Sequence, residues 1–307
     1  MKQSSEAPAA GPGVPGARPE QKIYLQGHSG CEVALIGKDG LIVVEKSALD
    51  PKYNSRLQKQ IQKQMRFAAS NRLPFVKIPK ILEQGQRQEL AMVRMEYVYY
   101  LNSIDYFETA SITDIDEIVA KILAYIDSEI GESEVAELPT VHFADKLREI
   151  ESNVKANGHI GIYQQPIKTL ESILRNSDRI RLPLGSCHGD LTFSNILIAS
   201  DSKAIALIDF LDSFIESPII DIAKIRQDSR FCWSLMMAAH PNDATRFRLV
   251  MRYIDEKINR HYSDYDWYVG NIDLILLLNM LRIAPYAKRD DVHEFLIDAI
   301  NALGRQR

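Results

Sequence analysis

Residues 186–210, which read SCHGDLTFSNILIASDSKAIALIDF, constrain the fold of this chain more than any other stretch. Two short apolar runs, 196–198 and 204–208, flank a Ser-Asp-Ser turn at 200–202. Apolar runs on either side of a short polar turn are typical of a β-hairpin. In such a hairpin the start of the first strand lies beside the end of the second, so we expect Asn195 and Asp209 to lie together.

Three polar side chains of this stretch suit phosphoryl transfer. Asn195 and Asp209 offer an amide oxygen and a carboxylate, which are the hard ligands that Mg²⁺ prefers. Asp190 stands five positions before Asn195, on an irregular loop where a carboxylate can orient an attacking hydroxyl and accept its proton. A β-hairpin with acidic turns is the alternative, but it leaves the spacing unexplained.

The spacing resembles the protein-kinase signature H-R-D-L-x-x-x-N followed by D-F-G. Residues 188–195 read HGDLTFSN and residues 209–211 read DFL, so Gly replaces the Arg and Leu replaces the last Gly. In this form the motif resembles the aminoglycoside phosphotransferase-like family, small-molecule kinases that share the protein-kinase fold. The resemblance implies that Asp190 is the catalytic base. It also implies that Asn195 and Asp209 hold Mg²⁺ with ATP, GTP being the other candidate nucleotide.

The family resemblance implies an α+β, protein-kinase-like fold of two lobes. Residues 21–97 are expected to form an N-terminal nucleotide-binding lobe, a five-stranded antiparallel sheet plus one helix. Residues 98–307 are expected to form a mostly helical C-terminal lobe with the catalytic loop and acceptor pocket. A chain of 307 residues with 46% hydrophobic content agrees with two lobes, because it exceeds the usual size of a single core. Residues 1–20, rich in Ala, Pro and Gly, are expected to be a disordered leader.

The strands of the predicted N-terminal sheet are the apolar runs 23–25, 31–36, 41–46, 76–83 and 89–97. Between the first two, Gly27, His28, Ser29 and Gly30 can cover phosphates with backbone N–H groups, as a glycine-rich loop does. Taken alone, this short pattern favours an ordinary hairpin turn. The third strand ends in Lys46, where kinases place the lysine that holds the α- and β-phosphates. A solvated lysine at a strand end is the alternative.

The nucleotide site is expected to include a hinge and a helix. The chain around Glu96 and Val98 resembles the hinge, whose backbone would hydrogen-bond adenine; an edge strand running into a loop is the alternative. Residues 54–69 have helical periodicity. In kinases this helix supplies a glutamate to the strand lysine. This helix has none, and Gln60 or Gln64 would have to replace it with a weaker hydrogen bond.

Apolar periodicity predicts the helices of the C-terminal part, at 112–126, 142–157, 165–176, 219–239, 243–260, 268–281 and 292–303. The fourth begins at PIIDIA, residues 218–223, which resembles the family segment P-x-x-D-L-A. Asp221 is expected to be structural, at the helix start, and His188 to support the catalytic loop. The chain between Asp209 and this helix is short and lacks an A-P-E end, which argues against a protein substrate. The aromatic and acidic turn at 261–267 suits either an acceptor pocket or a solvated turn with packed rings.

Composition narrows the possible partners and the cellular location. The net charge of −4 and the pI of about 6.0 argue against nucleic acid as a partner. Three widely spaced cysteines indicate neither a disulfide framework nor a zinc site, so a cytoplasmic location is expected. No apolar run approaches the ~20 residues of a membrane helix, so no membrane span is expected.

Two functions fit these features. The first is an ATP-dependent kinase that phosphorylates a hydroxyl of a small molecule such as a sugar, an amino alcohol or an aminoglycoside. The second is a nucleotide-binding pseudokinase with a regulatory or scaffolding role, which the missing helix glutamate favours. The intact Asp190, Asn195 and Asp209 argue for the kinase.

Overall fold

The computed structural model describes residues 21–25, 30–38, 40–237 and 243–304. Two compact units are formed, one by Met1–Leu57 with Ile81–Tyr97 and the other by Gln58–Lys80 with Val98–Arg307. The leader predicted at 1–20 lies outside the described residues.

The strands and helices are numbered separately in chain order. The strands are β1 (Gln21–Leu25), β2 (Cys31–Lys38), β3 (Leu41–Ala48), β4 (Val76–Lys77), β5 (Ile81–Arg87), β6 (Leu90–Glu96), β7 (Leu101–Asn102), β8 (Glu134–Pro139), β9 (Arg179–Leu184), β10 (Ile196–Ile198) and β11 (Ile205–Leu207). The helices are α1 (Asn54–Ser70), α2 (Ser103–Thr109), α3 (Ile112–Gly131), α4 (Val141–Ala156), α5 (Ile160–Arg175), α6 (Pro218–Phe231), α7 (Trp233–Met237), α8 (Ala244–Tyr262), α9 (Asp266–Ile283) and α10 (Asp290–Gly304).

The first unit contains a five-stranded antiparallel sheet in the order β1-β2-β3-β6-β5. The predicted N-terminal sheet is thus confirmed, but the strand predicted at 76–83 is wrong. Val76–Lys77 pairs in parallel with β11, and β5 begins only at Ile81. Pro79 stands between them, and proline has no N–H for a strand ladder, so the apolar run divides into two strands.

In the second unit, β10 and β11 form the predicted hairpin, with Ile196 opposite Leu207. They are the inner strands of a four-stranded sheet in the order β4-β11-β10-β7. Strand β9, which leads into the catalytic loop, pairs with β8, a strand that no sequence pattern predicts. No residue of β8 is buried, and its two polar residues, Glu134 and Glu137, do not alternate with apolar ones, so the period-two pattern of a half-buried strand is missing.

Helix α6 lies at the centre of the second unit, since every residue from Pro218 to Ser229 is buried. The single helix predicted at 219–239 is interrupted, because Cys232 adopts a left-handed backbone with φ of 58°. The carboxylate of Asp228 stabilises the break by accepting hydrogen bonds from the amide and hydroxyl of Ser234, both at 2.7 Å. The break is therefore produced by a side chain that the periodicity of apolar residues does not register.

Helix α9 also belongs to the buried core. Among the described residues, the stretch Asp266–Tyr286 has the length and hydropathy of a membrane span, but 67% of its most apolar window is buried. Core helices of soluble proteins have the same properties. Its buried residues include Leu276, Leu278 and Leu281.

Candidate active site

The β10–β11 hairpin sets the spacing of the predicted site in the second unit. The Ile208 amide donates to the carbonyl of Asn195 at 3.0 Å. Asn195 therefore lies opposite the residue that precedes Asp209, as the hairpin geometry requires. Asn195 is 9% exposed and Asp209 is partly buried.

Asp190 is held at both of its carboxylate oxygens. The Asn195 amide nitrogen donates to Asp190 Oδ2 at 3.1 Å and to the Asp190 carbonyl at 2.8 Å. Lys224 Nζ lies 3.0 Å from Asp190 Oδ1. Burial alone would raise the pKa of Asp190, but the Lys224 ammonium lowers this pKa below its ordinary value. Asp190 is therefore ionised at neutral pH, with lone pairs left to accept a hydrogen bond from a hydroxyl.

His188 supports the loop and is fully buried. Its Nε2 donates to the carbonyl of Ile208 at 2.9 Å, and its Nδ1 accepts from the Asp190 amide at 3.3 Å. The ring also packs on Phe210, with centroids 4.2 Å apart. Burial lowers the pKa of His188 to about 4, so the imidazole is neutral and both nitrogens are used in holding the loop.

Asp209 has a left-handed backbone, with φ of 62°. For a residue with a side chain this conformation costs on the order of 1 kcal/mol, and such residues concentrate at functional sites. The strained conformation turns the chain directly after β11. It distinguishes Asp209 from an ordinary strand-end carboxylate.

Two carboxylates of α6 bind the backbone of the catalytic loop. Asp221 accepts from the amides of His188 at 2.6 Å and Gly189 at 2.8 Å. Asp228 accepts from the amide of Phe193 at 2.6 Å. Burial raises the pKa of Asp221 to about 7 and that of Asp228 to about 6, although these hydrogen bonds oppose the rise.

Although Asp221 lies in the first turn of α6, its side chain does not cap the helix. The N-cap residue of α6 is Ser217, whose side chain makes no capping hydrogen bond. The Asp221 carboxylate points to the catalytic loop instead. Its role is structural, as expected from the sequence, but it acts on the loop.

Lys63 of α1 fastens the chain that follows Asp209. Its ammonium, in a side chain that is 3% exposed, donates to the carbonyl of Leu211 at 2.8 Å and to both carboxylate oxygens of Glu216 at 2.9 Å. A buried lysine needs such partners, because an unpaired buried charge costs several kcal/mol.

Gln64, one of the two residues considered as substitutes for the missing helix glutamate, is buried on the same helix. Its amide nitrogen donates to the carbonyl of Pro79 at 2.8 Å. Gln60 is also buried, at 7% exposure. The carboxamide of Gln64 thus has a structural partner of its own.

Lys46 lies near the end of β3 in the first unit and is 7% exposed. Its neighbour Glu45 is on the opposite face of the sheet, as strand alternation predicts. Glu45 is 2% exposed and forms ion pairs with Lys22 and Arg94, each at 3.0 Å. Burial would raise the pKa of Glu45, but these two cations lower it. The charge of Glu45 is therefore neutralised by Lys22 and Arg94, on the face of the sheet opposite Lys46.

The other residues predicted to contact the nucleotide are described only in part. Gly30 lies against Tyr53, since a Cβ at Gly30 would be 2.2 Å from the ring. Gly27, His28 and Ser29 lie outside the described residues. Glu96 is the last residue of β6 and pairs with Val43, in the first unit. Val98 begins the longer segment of the second unit and is 4% exposed.

The site offers few protein ligands for a metal ion. Within the described ranges, no three His, Cys, Asp or Glu side chains come together to hold an ion. Asn195 uses its amide nitrogen for Asp190, which leaves its oxygen for a cation, and Asp209 offers a carboxylate. Two oxygen donors suit Mg²⁺ whose remaining ligands are water and phosphate.

Sequence reasoning missed Lys63, Lys224 and Asp228 as parts of this site. The available signal was charge inside apolar helices, most clearly in PIIDIAKIRQD at 218–228. Charged residues in a buried helix need partners. The sequence alone does not identify those partners, which are 34 to 153 residues away for Lys224 and Lys63.

Comparison with known proteins identifies the family of the chain. A sequence model of the phosphotransferase enzyme family (APH) matches residues 43–247. No curated protein matches by sequence. The matched range includes Lys46, Asp190, Asn195 and Asp209, whereas Gly30 lies before it.

Three solved structures are similar over most of their length. A thermostable mutant of aminoglycoside phosphotransferase APH(4)-Ia, in a ternary complex with AMP-PNP and hygromycin B, has a TM-score of 0.63 at 12% identity and covers 93% of both chains. Spectinomycin phosphotransferase APH(9)-Ia, with ADP and spectinomycin, has a TM-score of 0.57 at 9% identity, covering 92% of this chain and 93% of that one. Plasmodium vivax ethanolamine kinase has a TM-score of 0.52 at 13% identity, covering 92% and 82%.

At these identities the structural likenesses establish the fold, and the sequence match over two thirds of the chain establishes the family. The chain belongs to the phosphotransferase enzyme family (APH) and has the fold of the aminoglycoside phosphotransferases.

Proposed function

We propose that this protein transfers the γ-phosphoryl group of ATP to a hydroxyl of a small molecule, with Asp190 as the catalytic base. The observation that carries the proposal is the carboxylate of Asp190, ionised and held by Asn195 and Lys224. Phosphoryl transfer depends mainly on positioning and charge stabilisation, so a fixed acceptor for the hydroxyl proton is the group that such a site needs.

Asn195 and Asp209 are the proposed ligands of Mg²⁺. Their oxygen donors fit this ion, and the left-handed backbone of Asp209 turns the chain at the end of the hairpin. When bound, Mg²⁺ would neutralise the charge of the nucleotide phosphates.

The nucleotide contacts are assigned to Lys46, to the loop at residues 27–30 and to the backbone of Glu96 and Val98. Lys46 is the proposed partner of the α- and β-phosphates, which its burial and its separation from Glu45 support. The loop of Gly27, His28, Ser29 and Gly30 would cover the phosphates. The backbone of Glu96 and Val98 would bind adenine. ATP is the expected nucleotide, and GTP is the alternative to be compared with it.

The acceptor is proposed to be a sugar, an amino alcohol or an aminoglycoside. The similar structures include proteins bound to hygromycin B and to spectinomycin, and an ethanolamine kinase. The chain between Asp209 and α6 is too short to hold an extended peptide as an activation loop does, which supports a small acceptor. A cytoplasmic location is proposed because all three cysteines are thiols.

A screen of hydroxylated small molecules, read out by ADP release with Mg²⁺ and either ATP or GTP, tests the proposal. We expect one acceptor class to stimulate ADP release in the wild type. Asp190→Asn, which keeps the shape of the side chain but removes the base, should reduce turnover by about 100-fold or more. Turnover that survives Asp190→Asn unchanged would exclude the proposed mechanism.

The pseudokinase is retained as a second candidate because α1 carries no glutamate and Gln64 is bonded to Pro79. It predicts nucleotide binding without Mg²⁺ and no phosphoryl transfer to any acceptor. Calorimetric titration with ATP, with and without Mg²⁺, distinguishes the two candidates.

A further inference from the structure

Helix α6 presents three charged side chains to the catalytic loop. Asp221, Lys224 and Asp228 are spaced by three and four residues, which places them on one face of a helix. Asp221 and Asp228 bind backbone amides at the two ends of the loop. Lys224 lies between them and is the one of the three that contacts the side chain of Asp190.

We propose that Lys224 is a positioning residue for phosphoryl transfer, which fixes the carboxylate of Asp190 in the orientation that the attacking hydroxyl requires. This inference rests on the proposed function and adds to it a residue that lies outside the H-G-D-L-x-x-x-N and D-F motifs.

Two donors from different elements define the orientation of the carboxylate. Asn195, from the loop itself, holds Oδ2 at 3.1 Å, and Lys224, from α6, holds Oδ1 at 3.0 Å. With both donors in place, rotation of the carboxylate about its Cβ–Cγ bond breaks a hydrogen bond. With Asn195 alone, one oxygen is released and the group can turn.

The surroundings of Lys224 make this contact persistent. The residue is 9% exposed and follows a stretch of α6 in which Ile219, Ile220 and Ile222 are fully buried. Because little of the Lys224 side chain reaches solvent, water does not readily replace Asp190 as the partner of its ammonium. An exposed surface pair has no such constraint.

Lys224→Met tests the inference, because methionine fills a similar volume without the charge. We expect the kcat for acceptor phosphorylation to fall about 10- to 100-fold, as misplacement of a reacting group does. The KM for ATP should change less than about threefold, because Lys224 acts on Asp190 and not on nucleotide binding. Lys224→Arg keeps the charge and should recover about tenfold of the lost rate.

Lys257→Met is the matched control. Lys257 Nζ pairs with Asp116 at 2.9 Å, on α8 and α3, so that variant also breaks a lysine–aspartate pair of the second unit. Its kcat should equal that of the wild type. Thermal unfolding of each variant shows whether a lost rate reflects a lost fold.

A double-mutant cycle separates positioning from a general structural role. If Lys224 acts through Asp190, adding Lys224→Met to Asp190→Asn should change the residual single-turnover rate less than about threefold. The double variant also carries no unpaired charge at this contact. It therefore keeps the test valid if Lys224→Met alone is too unstable to purify, as does Lys224→Arg.

The outcomes are distinct. Wild-type kcat in Lys224→Met, equal losses in the Met and Arg variants, or multiplicative losses in the cycle would each overturn the inference while leaving the proposed function intact. A wild-type protein that transfers phosphate to no acceptor would overturn the proposed function, and the inference with it.

Discussion

Gly189 is the residue at which the catalytic loop approaches the chain after β11 most closely. Its backbone φ is 87°, and a Cβ there would lie 2.2 Å from the carbonyl oxygen of Leu211. The Leu211 amide donates to the carbonyl of His188 at 3.0 Å. A glycine at this position therefore allows the segments that bear Asp190 and Asp209 to pair directly, which explains why the H-G-D form of the motif suits this loop.

Gly189→Ala should both destabilise the protein and inactivate it. The variant combines a left-handed backbone with a backbone clash, so we expect a loss of about 2–4 kcal/mol in the free energy of unfolding. Gly158→Ala is the control, because Gly158 has φ of 80° with no atom within 4 Å of an added Cβ. It should lose only about 1 kcal/mol and keep its activity. Urea unfolding and turnover assays of both variants test this prediction. Equal effects of the two substitutions would show that the close approach of Gly189 to Leu211 does not matter.

Helix α1 makes an ion pair different from the one expected of it. The helix lacks the glutamate expected for the strand lysine, and its Lys63 instead binds Leu211 and Glu216 in the chain after Asp209. The pairing of a helix cation with this segment is a feature of the tertiary structure. It gives α1 a direct influence on the position of Asp209.

Lys63→Met should loosen the segment after Asp209. We expect a loss of about 1–2 kcal/mol in stability, because the hydrogen bonds of the buried ammonium to Leu211 and Glu216 are lost while Glu216, 44% exposed, stays solvated. We also expect a lower kcat. Lys59→Met is the matched control, one turn earlier on α1, where the exposed pair with Asp212 spans 3.1 Å. That substitution should cost about 0.5 kcal/mol or less. The two variants are compared by chemical denaturation and turnover. Equal losses of stability would show that the burial of Lys63 does not matter.

Helix α3 places a second carboxylate near Asp221. Burial, and then the charge of Asp221, raise the pKa of Glu129 to about 7 from the ordinary value of 4.5. Between pH 4.5 and 7 the folded protein therefore retains a proton that the unfolded chain has lost. The free energy of unfolding should fall as the pH rises through this window, by on the order of 1–2 kcal/mol.

Glu129→Gln should remove that part of the pH dependence and stabilise the protein above pH 7. Glu117→Gln on the same helix, where Glu117 forms an exposed pair with Lys121, should leave it in place. Unfolding free energies measured from pH 4.5 to pH 8 provide the comparison. A slope unchanged by Glu129→Gln would show that other groups, such as Asp221, produce it.

On the scale of the whole molecule, the three cysteines report on how completely the chain is packed. All three are thiols and not disulfides; Cys31 and Cys187 are buried and Cys232 is partly buried. Burial raises the pKa of Cys187 well above its ordinary value and also raises that of Cys232. A buried thiol in its protonated form is a poor nucleophile.

Alkylation of the native protein at neutral pH should therefore be slow and should begin at Cys232, while Cys31 and Cys187 react only after denaturation. Peptide mass spectrometry of iodoacetamide-treated protein measures the order. A reducing agent should leave the thermal unfolding midpoint unchanged, since the three thiols form no disulfide. Rapid native labelling of Cys187 would indicate that the region behind the catalytic loop opens.

The sequence by itself determined the features that depend on neighbouring residues. The apolar alternation of 196–198 and 204–208, with a polar turn between, specifies the hairpin that sets Asn195 near Asp209. Most helices follow from apolar periodicity, and the kinase-like fold follows from the resemblance of the motif to that of a known family. These patterns can be recognised because the side chains of a strand or helix repeat with a fixed period, which a few adjacent positions are enough to show.

Only the tertiary structure decided which distant side chains complete those features. It divided the apolar run at 76–83 between two sheets, ended α6 at Phe231, and paired Lys224 with Asp190 and Lys63 with Glu216. The physical reason is that a buried charge can be satisfied by any partner that packing brings within hydrogen-bond distance. Which partner that is depends on contacts between elements far apart along the chain, and no local pattern records them.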